Sequence, residues 1–444
     1  MQKVAIIGGG PAGLFAAYKL AGTFEVTLFD KGRAIKDRKC PKKDKCCRCS
    51  PCQIDHGIGG AGLFSDGKLL YHTKTGNNLS EIIGEEKNQE LVDEVEKIFT
   101  LYGVETDHFD INEHKNLIEK AERFGINYMP SKQAHVGSDR LPAILDRMVQ
   151  DINMCVVTEQ NIIDFDPENS QLKTKNRALI TYDRLILAPG RAGAHWLKSL
   201  LDAHKIEYEY QPLDIGVRVE VTAEVMKQVI EVNWDFKARM RSRTYDDIVR
   251  TFCVCPYGFV TEQRSEDYCL VNGHSEKNRK SKNTNFAFLA TYKLMNPLEN
   301  QNEYGRRIAE NTTFIGGGKP LLQRLGDLRH GRRSTWERIH SSSTEPTLKD
   351  VTPGDIGSAL PYRFVVDIID GLDNLSNLIP GVADDSTLLY APEIKFLGIR
   401  VKTDEYLRTN KKEISVAGDS PGFSRGIVGA AASGLLAAYG ILNK

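Results

Sequence analysis

Apolar and polar positions along the chain follow two periods, and the places where the period changes mark its organisation. The apolar run Val4 to Ile7 is followed by Gly8, Gly10 and Gly13, and then by Leu14, Ala17, Tyr18 and Ala21 at helical spacing. This order predicts strand, turn and helix. A second apolar run, "FEVTLFD", ends at Asp30. Helical spacing returns in "NQELVDEVEKIFTLYG" and "NEHKNLIEKAERFG", each closing on a glycine in the manner of a C-terminal stop. It appears again in "SDRLPAILDRMVQDI", where Ser138 or Asp139 is the expected N-cap. Strand-like stretches run from Cys155 through Ile180, and another apolar strand ends at Ala188-Pro189-Gly190. From about 208 to 355 the period becomes two. Ile215, Val217, Val219 and Val221 alternate, followed by "IVRTFCVC", "YCLVNGH" and "NFAFLATYKL", which predicts an antiparallel sheet. The chain then returns to a strand, "EISVAGD", a glycine-rich turn and a Gly/Ala-rich helix.

These changes predict an α/β fold: a Rossmann-like nucleotide-binding domain carrying an inserted antiparallel-sheet substrate domain and a small helical insertion. The expected boundaries are 1–75 for the first nucleotide-binding part, 76–130 for the helical insertion and 131–207 for the second part. The substrate domain is expected over 208–358 and the C-terminal nucleotide-binding part over 359–444. A chain of 444 residues is too long for one simple core. Lys+Arg and Asp+Glu both total 59, so no global field draws the chain to nucleic acid or anionic lipid. The stretch Gly426 to Leu442 falls short of the roughly 20 strongly apolar residues of a membrane span, and a buried helix is expected there. An apolar run so close to Met1 leaves no room for a leader, which points to the cytoplasm. Basic residues cluster at "KARMRSR" and "RHGRR". They read as a solvated face or as a site for a carboxylate- or phosphate-bearing substrate.

Candidate chemistry begins with the first turn. Gly8 permits the tight turn, Gly10 lets backbone approach a pyrophosphate, and Gly13 lets the helix pack on the strand. Pro11 and Ala12 open the helix, whose free N–H groups and positive dipole end suit phosphate. Asp30 lies twenty-two residues after Gly8, where an acid accepts from ribose hydroxyls; Lys31 and Arg33 stand beside it. A second glycine loop, "HGIGGAGLFSDGKLLY", strips side chains at Gly59, Gly60 and Gly62, with Ser65, Asp66 and Lys68 as polar handles.

The turn at Gly8 to Gly13, the Ala188 to Gly190 crossing and the Gly418-Asp419 turn resemble the nucleotide-contacting segments of the FAD-binding superfamily that includes glutathione reductase and the aromatic hydroxylases. The resemblance implies that Gly418 and Asp419 meet the ribityl chain, and that the helix opening at Gly426 and Ile427 points its N-terminus at the flavin. Over nearly the whole chain the sequence is similar to a family of uncharacterised FAD-dependent dehydrogenases of bacteria and archaea. That likeness is carried by Gly59 to Lys68 ("GGAGLFSDGK"), "DIGVRVE", "RTFCVCPYGFVT", "LVNGHS" and "PEIKF". The chain departs from it at Gly-Asp-Ser-Pro-Gly, 418 to 422. Ala188, Gly190 and Gly60 join the expected FAD contacts. No second GxGxxG with its strand and acid follows, so a nicotinamide donor would visit a shared site, or a redox protein would serve instead.

Five of the nine cysteines fall in "CPKKDKCCRCSPC". Cys40, Cys46, Cys49 and Cys52 have spacing that four thiolates could use around an iron–sulfur cluster or zinc. A redox disulfide or a set of small buried hydrophobes fits the same residues. Nine Lys/Arg against two Asp from Lys31 to Arg48 are expected to lower the thiol pKa values. Alternation is expected to put Cys253 and Cys255 on one strand face. The reading is an FAD-dependent oxidoreductase moving hydride between flavin and a small organic substrate, anionic if the basic clusters bind it, in the manner of a dehydrogenase or reductase. The alternative is a flavin/iron–sulfur electron-transfer protein serving a partner. Ser65, Asp66, Glu393, Lys395 and His56 are the acid–base candidates, and none is singled out as catalytic.

Overall fold

The computed structural model describes residues 1–40, 49–64, 67–137, 139–264, 267–275, 279–294, 300–396, 398–411 and 413–443. The chain forms two compact units, one of Met1–Phe109, Ser131–Gln211 and Gly398–Lys444, the other of Asp110–Pro130 and Pro212–Leu397.

The first unit is organised on a five-stranded parallel sheet in the order Ile414–Val416, Arg184–Leu187, Lys3–Ile7, Glu25–Phe29 and Cys155–Val157. Its central strand is apolar at every position after Lys3 because helices cover both faces of such a sheet. Helices Pro11–Leu20 and Ile427–Leu442 pack closely together. A methyl group at Gly434 would run into the Ala12 carbonyl oxygen, so the crossing requires glycine there. Every residue of Ile427–Leu442 except Tyr439 and Leu442 is buried, as the sequence pattern predicts. Among the described residues no helix is long and apolar enough to cross a membrane.

The stretch 76–130, expected as one helical insertion, is divided between the units. Helix Glu85–Leu101 buries Leu91, Val92, Val95, Ile98 and Phe99 in the first core, with Phe99 5.1 Å from Phe15 between ring centroids. Helix Ile111–Glu122 belongs to the second unit, where His114 Nδ1 lies 2.8 Å from the Tyr128 hydroxyl. Both helices end before a left-handed glycine, Gly103 at φ 85° and Gly125 at φ 65°, as expected. Of the two expected caps, Asp139 does not take that place. Helix Leu141–Asp151 has Arg140 at its N-cap with no side-chain cap, and Leu141 N–H donates to the Gly137 carbonyl at 3.2 Å. Ser138 lies outside the described residues.

The second unit is built on an eight-stranded sheet in the order Thr352–Pro353, Leu321–Arg324, Leu388–Lys395, Leu213–Thr222, Asn283–Tyr292, Ile248–Cys255, Ala238–Arg241 and Asn127–Tyr128. Leu388–Lys395 lies inside that sheet, so this unit runs to Leu397 and not to the expected 358. It begins at Pro212 and not at 208, because Tyr208–Tyr210 pairs with Ile399–Val401 in the first unit. Ile215, Val217, Val219 and Val221 face an apolar core with Phe364, Ile368 and Leu372 of helix Tyr362–Leu375. The alternate residues Asp214, Arg218 and Glu220 are buried too. Arg218 donates to Asn285 Oδ1 at 2.8 Å and to the Cys253 carbonyl at 2.7 Å. Glu220 accepts from Tyr390 at 2.6 Å and from Thr347 at 2.5 Å.

Cys253 and Cys255 both set their thiols against the Arg218 guanidinium, as one shared face predicts. They do so across a bulge, since the register shifts between Phe252 and Cys255 and Cys253 takes φ 47°. The basic clusters include internal ion pairs. Lys237 meets Asp235 at 2.8 Å, Arg332 meets Asp327 at 2.8 Å, and Arg329 bonds Asp373 and Asp385.

Asp367 lies buried on helix Tyr362–Leu375. Burial, and then the charge of Asp247, push its carboxyl up to about 6, against the pull of Arg363. A carboxyl raised in the folded state adds stability below its unfolded pKa and loses it as pH rises through the folded value. Replacing Asp367 with Asn therefore stabilises the protein relative to wild type as pH climbs from 4 to 7, by at most about 3 kcal/mol at 1.36 kcal/mol per unit. Thermal melts of both proteins across that range measure it; a constant difference would refute it.

Candidate cofactor site

Four segments of the first unit that carry few side chains meet at the C-terminal ends of its parallel strands. The turn after Lys3–Ile7 is the hub. Gly8 takes φ 108°, and a methyl there would strike the Ala188 carbonyl oxygen, so the turn and the Ala188-Pro189-Gly190 crossing pass with no side chain between them. A methyl at Gly13 would strike the Gly8 carbonyl oxygen. Gly59 N–H donates to the Gly9 carbonyl at 2.7 Å, which seats the second glycine loop on the first. A Cβ at Gly60 would fall 2.9 Å from the Gly10 Cα, and one at Gly62 would fall 2.9 Å from Ile427. Gly426 lies next to Gly76, and the Ser420 hydroxyl donates to the Gly190 carbonyl.

Within this cluster Gly9, Ala12, Gly13, Ala188 and Gly418 are buried. Gly8, Gly10, Pro11, Gly60, Gly190 and Asp419 keep partial exposure, and Gly426 is exposed. The half-exposed set lines an opening whose floor is backbone. Both Pro11–Leu20 and Ile427–Leu442 start without a side-chain cap and without an acid in the first turn. Their first N–H groups and positive dipole ends are left for an anion or an electron-rich ring.

Asp30 is the clamp of the nucleotide end. Its Oδ2 accepts from Gly9 N–H and its Oδ1 from Gly32 N–H, each at 2.7 Å. Each carboxylate oxygen retains a lone pair for a further donor. Lys31 and Arg33 are exposed, and Arg33 Nε donates to Glu159 at 3.3 Å. Asp419 accepts from Ser424 at 2.6 Å and from Arg191 at 3.2 Å, which keeps it an oriented carboxylate at the edge of the opening.

Sequence reasoning missed Arg38. Its guanidinium is buried and donates to the carbonyls of Gln53, Ile54, Gly57, Ile58 and Gly60, at 2.7 to 3.3 Å. Burial pulls its pKa down to about 10, against Asp30, Asp55 and Cys52, so it stays charged at neutral pH. Planar five-donor geometry lets one side chain shape a whole loop. In the sequence Arg38 is one base among nine, and spacing alone does not separate a staple from a solvated charge.

Several expected residues stand elsewhere. Cys46, Ser65 and Asp66 lie outside the described residues. Cys40, Cys49 and Cys52 are half-buried. Burial pushes the Cys52 thiol up, contrary to the lowering expected from the basic run, because removing a thiolate from water outweighs the Asp55 and Ile54 backbone hydrogen bonds that favour it. Among the described residues no group of three or more His, Cys, Asp or Glu could hold a metal ion. The His56 ring lies 3.3 Å from the Cys52 carbonyl. Glu393 and Lys395 belong to the second unit, 2.8 Å apart.

Residues 2–200 match the family described as pyridine nucleotide-disulphide oxidoreductase, and residues 212–395 match the family described as FAD-dependent protein, C-terminal domain-like. An uncharacterized protein of Clostridium beijerinckii is 25% identical over 99% of this chain and 80% of its own length. Among solved structures, glycine oxidase from Geobacillus kaustophilus is 12% identical with a TM-score of 0.37, covering 100% of this chain and 96% of its own. L-proline dehydrogenase from P. horikoshii is 12% identical with a TM-score of 0.39, covering 100% and 93%. CtdE in complex with FAD is 12% identical with a TM-score of 0.33, covering 98% and 82%. The two family matches are those of an FAD-dependent oxidoreductase.

Replacing Arg38 with Met takes a donor from each of five carbonyls, of which Gly57 and Gly60 keep a backbone N–H, and lowers unfolding free energy by on the order of 3 kcal/mol, the range for stranding buried polar groups. Lysine at the same position recovers little of it, since one ammonium cannot span the loop. Denaturant titration of the three proteins is the measurement; a methionine variant as stable as wild type would remove Arg38 from this role.

Proposed function

We propose that this FAD-dependent oxidoreductase transfers a hydride between its flavin and a small organic substrate, as a dehydrogenase or reductase. The reading rests on the one glycine of the first turn that the fold itself does not require. Gly8 and Gly13 are fixed by backbone collisions. Gly10 has φ −75° and ψ −177°, which any residue adopts, and a Cβ there would meet nothing nearer than the Gly60 Cα at 3.7 Å. A glycine kept where the chain has room fits the close passage of a pyrophosphate.

Bound FAD supplies the hydride chemistry at its isoalloxazine ring. In this reading the residues of the first unit hold and orient it. Asp30 accepts from the ribose hydroxyls with the lone pairs left by Gly9 and Gly32. Ala12 and Gly13 N–H groups at the start of Pro11–Leu20 face the pyrophosphate, worth about 0.3–1 kcal/mol of dipole attraction at an exposed site and more when dry. Gly60 and Gly190 give backbone approach. Asp419, oriented by Ser424 and Arg191, accepts from the ribityl hydroxyls. The helix beginning at Ile427 sets its positive end toward the ring, where charge accumulates on reduction.

Replacing Gly10 with Val should separate cofactor binding from folding. The variant freed of flavin is expected to melt within a degree or two of flavin-free wild type, consistent with an open site, since ΔΔG near 1 kcal/mol already moves Tm by about 2–4 °C. Its FAD affinity is expected to fall by roughly a hundredfold, about 2.7 kcal/mol. Flavin fluorescence titration reads the affinity. Undiminished binding by the valine variant, or wild type that takes up no FAD, would sink the reading.

A further inference from the structure

Around Phe252 and Arg218 the polar face of the second unit's sheet holds more positive than negative charge in a nearly dry setting, Glu220 of the same face being turned to Tyr390 and Thr347. There, among the described residues, four cations, Arg218, Lys237, Arg250 and Lys395, pair with three carboxylates. Lys237 pairs with Asp235 at 2.8 Å and Arg250 with Asp214. The third carboxylate is shared, Glu393 Oε1 lying 2.8 Å from Lys395 Nζ and 3.4 Å from Arg218 Nη1. Side-chain exposure of the four cations is 0% for Arg218, 5% for Lys237, 14% for Arg250 and 16% for Lys395. A surplus charge held this far from water is costly unless an anion completes it.

Three of the cations converge on one ring. Lys237 Nζ, Arg250 Cζ and Lys395 Nζ lie 5.0, 4.9 and 5.7 Å from the centroid of Phe252, which is half-buried. Attraction to the ring offsets some of their repulsion, at about 0.5–2 kcal/mol per cation. Sheet pairing adds a fourth positive group, since Arg239 stands directly opposite Arg250. Like charges in that relation are destabilising. Burial and the Arg250 charge lower the Arg239 pKa, as a positive local field requires.

Hydrogen bonding in the cluster is also unfinished. Among the described residues Asn285 Nδ2, a donor on a fully buried residue, has no partner and could meet an anion, while Glu393 Oε2, also without one, is an acceptor that an anion cannot satisfy. Glu393 and Asn285 both bond Arg218 through their other polar atom. Buried polar atoms without partners are uncommon and costly in a network otherwise satisfied.

We propose that the Phe252 cluster of Lys237, Arg250 and Lys395 is an anion subsite that takes the carboxylate of a small organic acid. As the substrate class of the enzyme this rests on the hydride-transfer reading; as a binding site it does not. The nearly dry lysines and arginine meet the carboxylate without first shedding a full hydration shell, and the added negative charge balances the cation that shares Glu393.

Benzoate is the probe, with benzamide as its neutral counterpart and sulfate as an inorganic anion. Calorimetric titration of the full-length protein is expected to show benzoate binding, with benzamide and sulfate weaker by roughly tenfold or more, about 1.4 kcal/mol. Lys395→Met and Lys237→Met are each expected to weaken benzoate by roughly tenfold. Should either variant fail to fold, Arg239→Gln on the exposed side of the cluster is expected to weaken it several-fold. The subsite is overturned if wild type ignores benzoate, if benzamide or sulfate binds as well, or if the folded variants bind benzoate undiminished. Visible flavin absorption is recorded on the same samples, so a protein that binds benzoate and refuses FAD upholds the subsite while removing the redox reading.

Discussion

Close approach of backbone to backbone is the constraint on which the first unit depends. At Gly8 the chain passes the Ala188 carbonyl, at Gly13 the helix closes on the Gly8 carbonyl, and at Gly434 a second helix crosses Ala12. None of these crossings has room for a methyl group. Interiors are packed too densely to relax around an added atom, so the crossings fix where the strands and both helices lie. The uncapped helix starts and the half-exposed glycines are placed as a consequence. The opening is thus a by-product of how tightly the surrounding chain is drawn together.

Arg38 and Asp30 supply the complementary device. Glycine-rich loops lose much conformational entropy on ordering and have no side chains with which to recover it. One buried guanidinium reaching five carbonyls and one carboxylate joining Gly9 to Gly32 provide that order from outside the loops. The glycines remain bare toward the opening, while charge-assisted hydrogen bonds hold them from behind.

The second unit solves the opposite problem. Its sheet hides one apolar face against helix Tyr362–Leu375 in the ordinary way, but its other face buries Asp214, Arg218, Glu220, Glu393 and Asn285. Such residues are almost never fully buried without partners. Arg218 makes the network possible, since its planar donors meet Asn285, Glu393 and the Cys253 carbonyl together. The bulge at Cys253 turns that carbonyl out of the ladder, so an irregularity in the strand becomes an acceptor for the buried cation.

The sequence by itself determined the elements whose causes are local. The glycine turn, the helix from Pro11, the left-handed stops at Gly103 and Gly125 and the alternation from Ile215 to Val221 all follow from torsional freedom and side-chain period, which act over a few residues. The order of the FAD-type segments was legible for the same reason. Tertiary structure alone decided what depends on partners distant in the chain. It divided 76–130 between two cores, drew Leu388–Lys395 into the second sheet, and put a bulge between Phe252 and Cys255 that the two-residue period does not foretell. It also picked Arg38 out of a basic run and gathered Lys237, Arg250 and Lys395 around Phe252. Burial and charge pairing are properties of neighbours in space, and a one-dimensional pattern records a residue's type without recording what surrounds it.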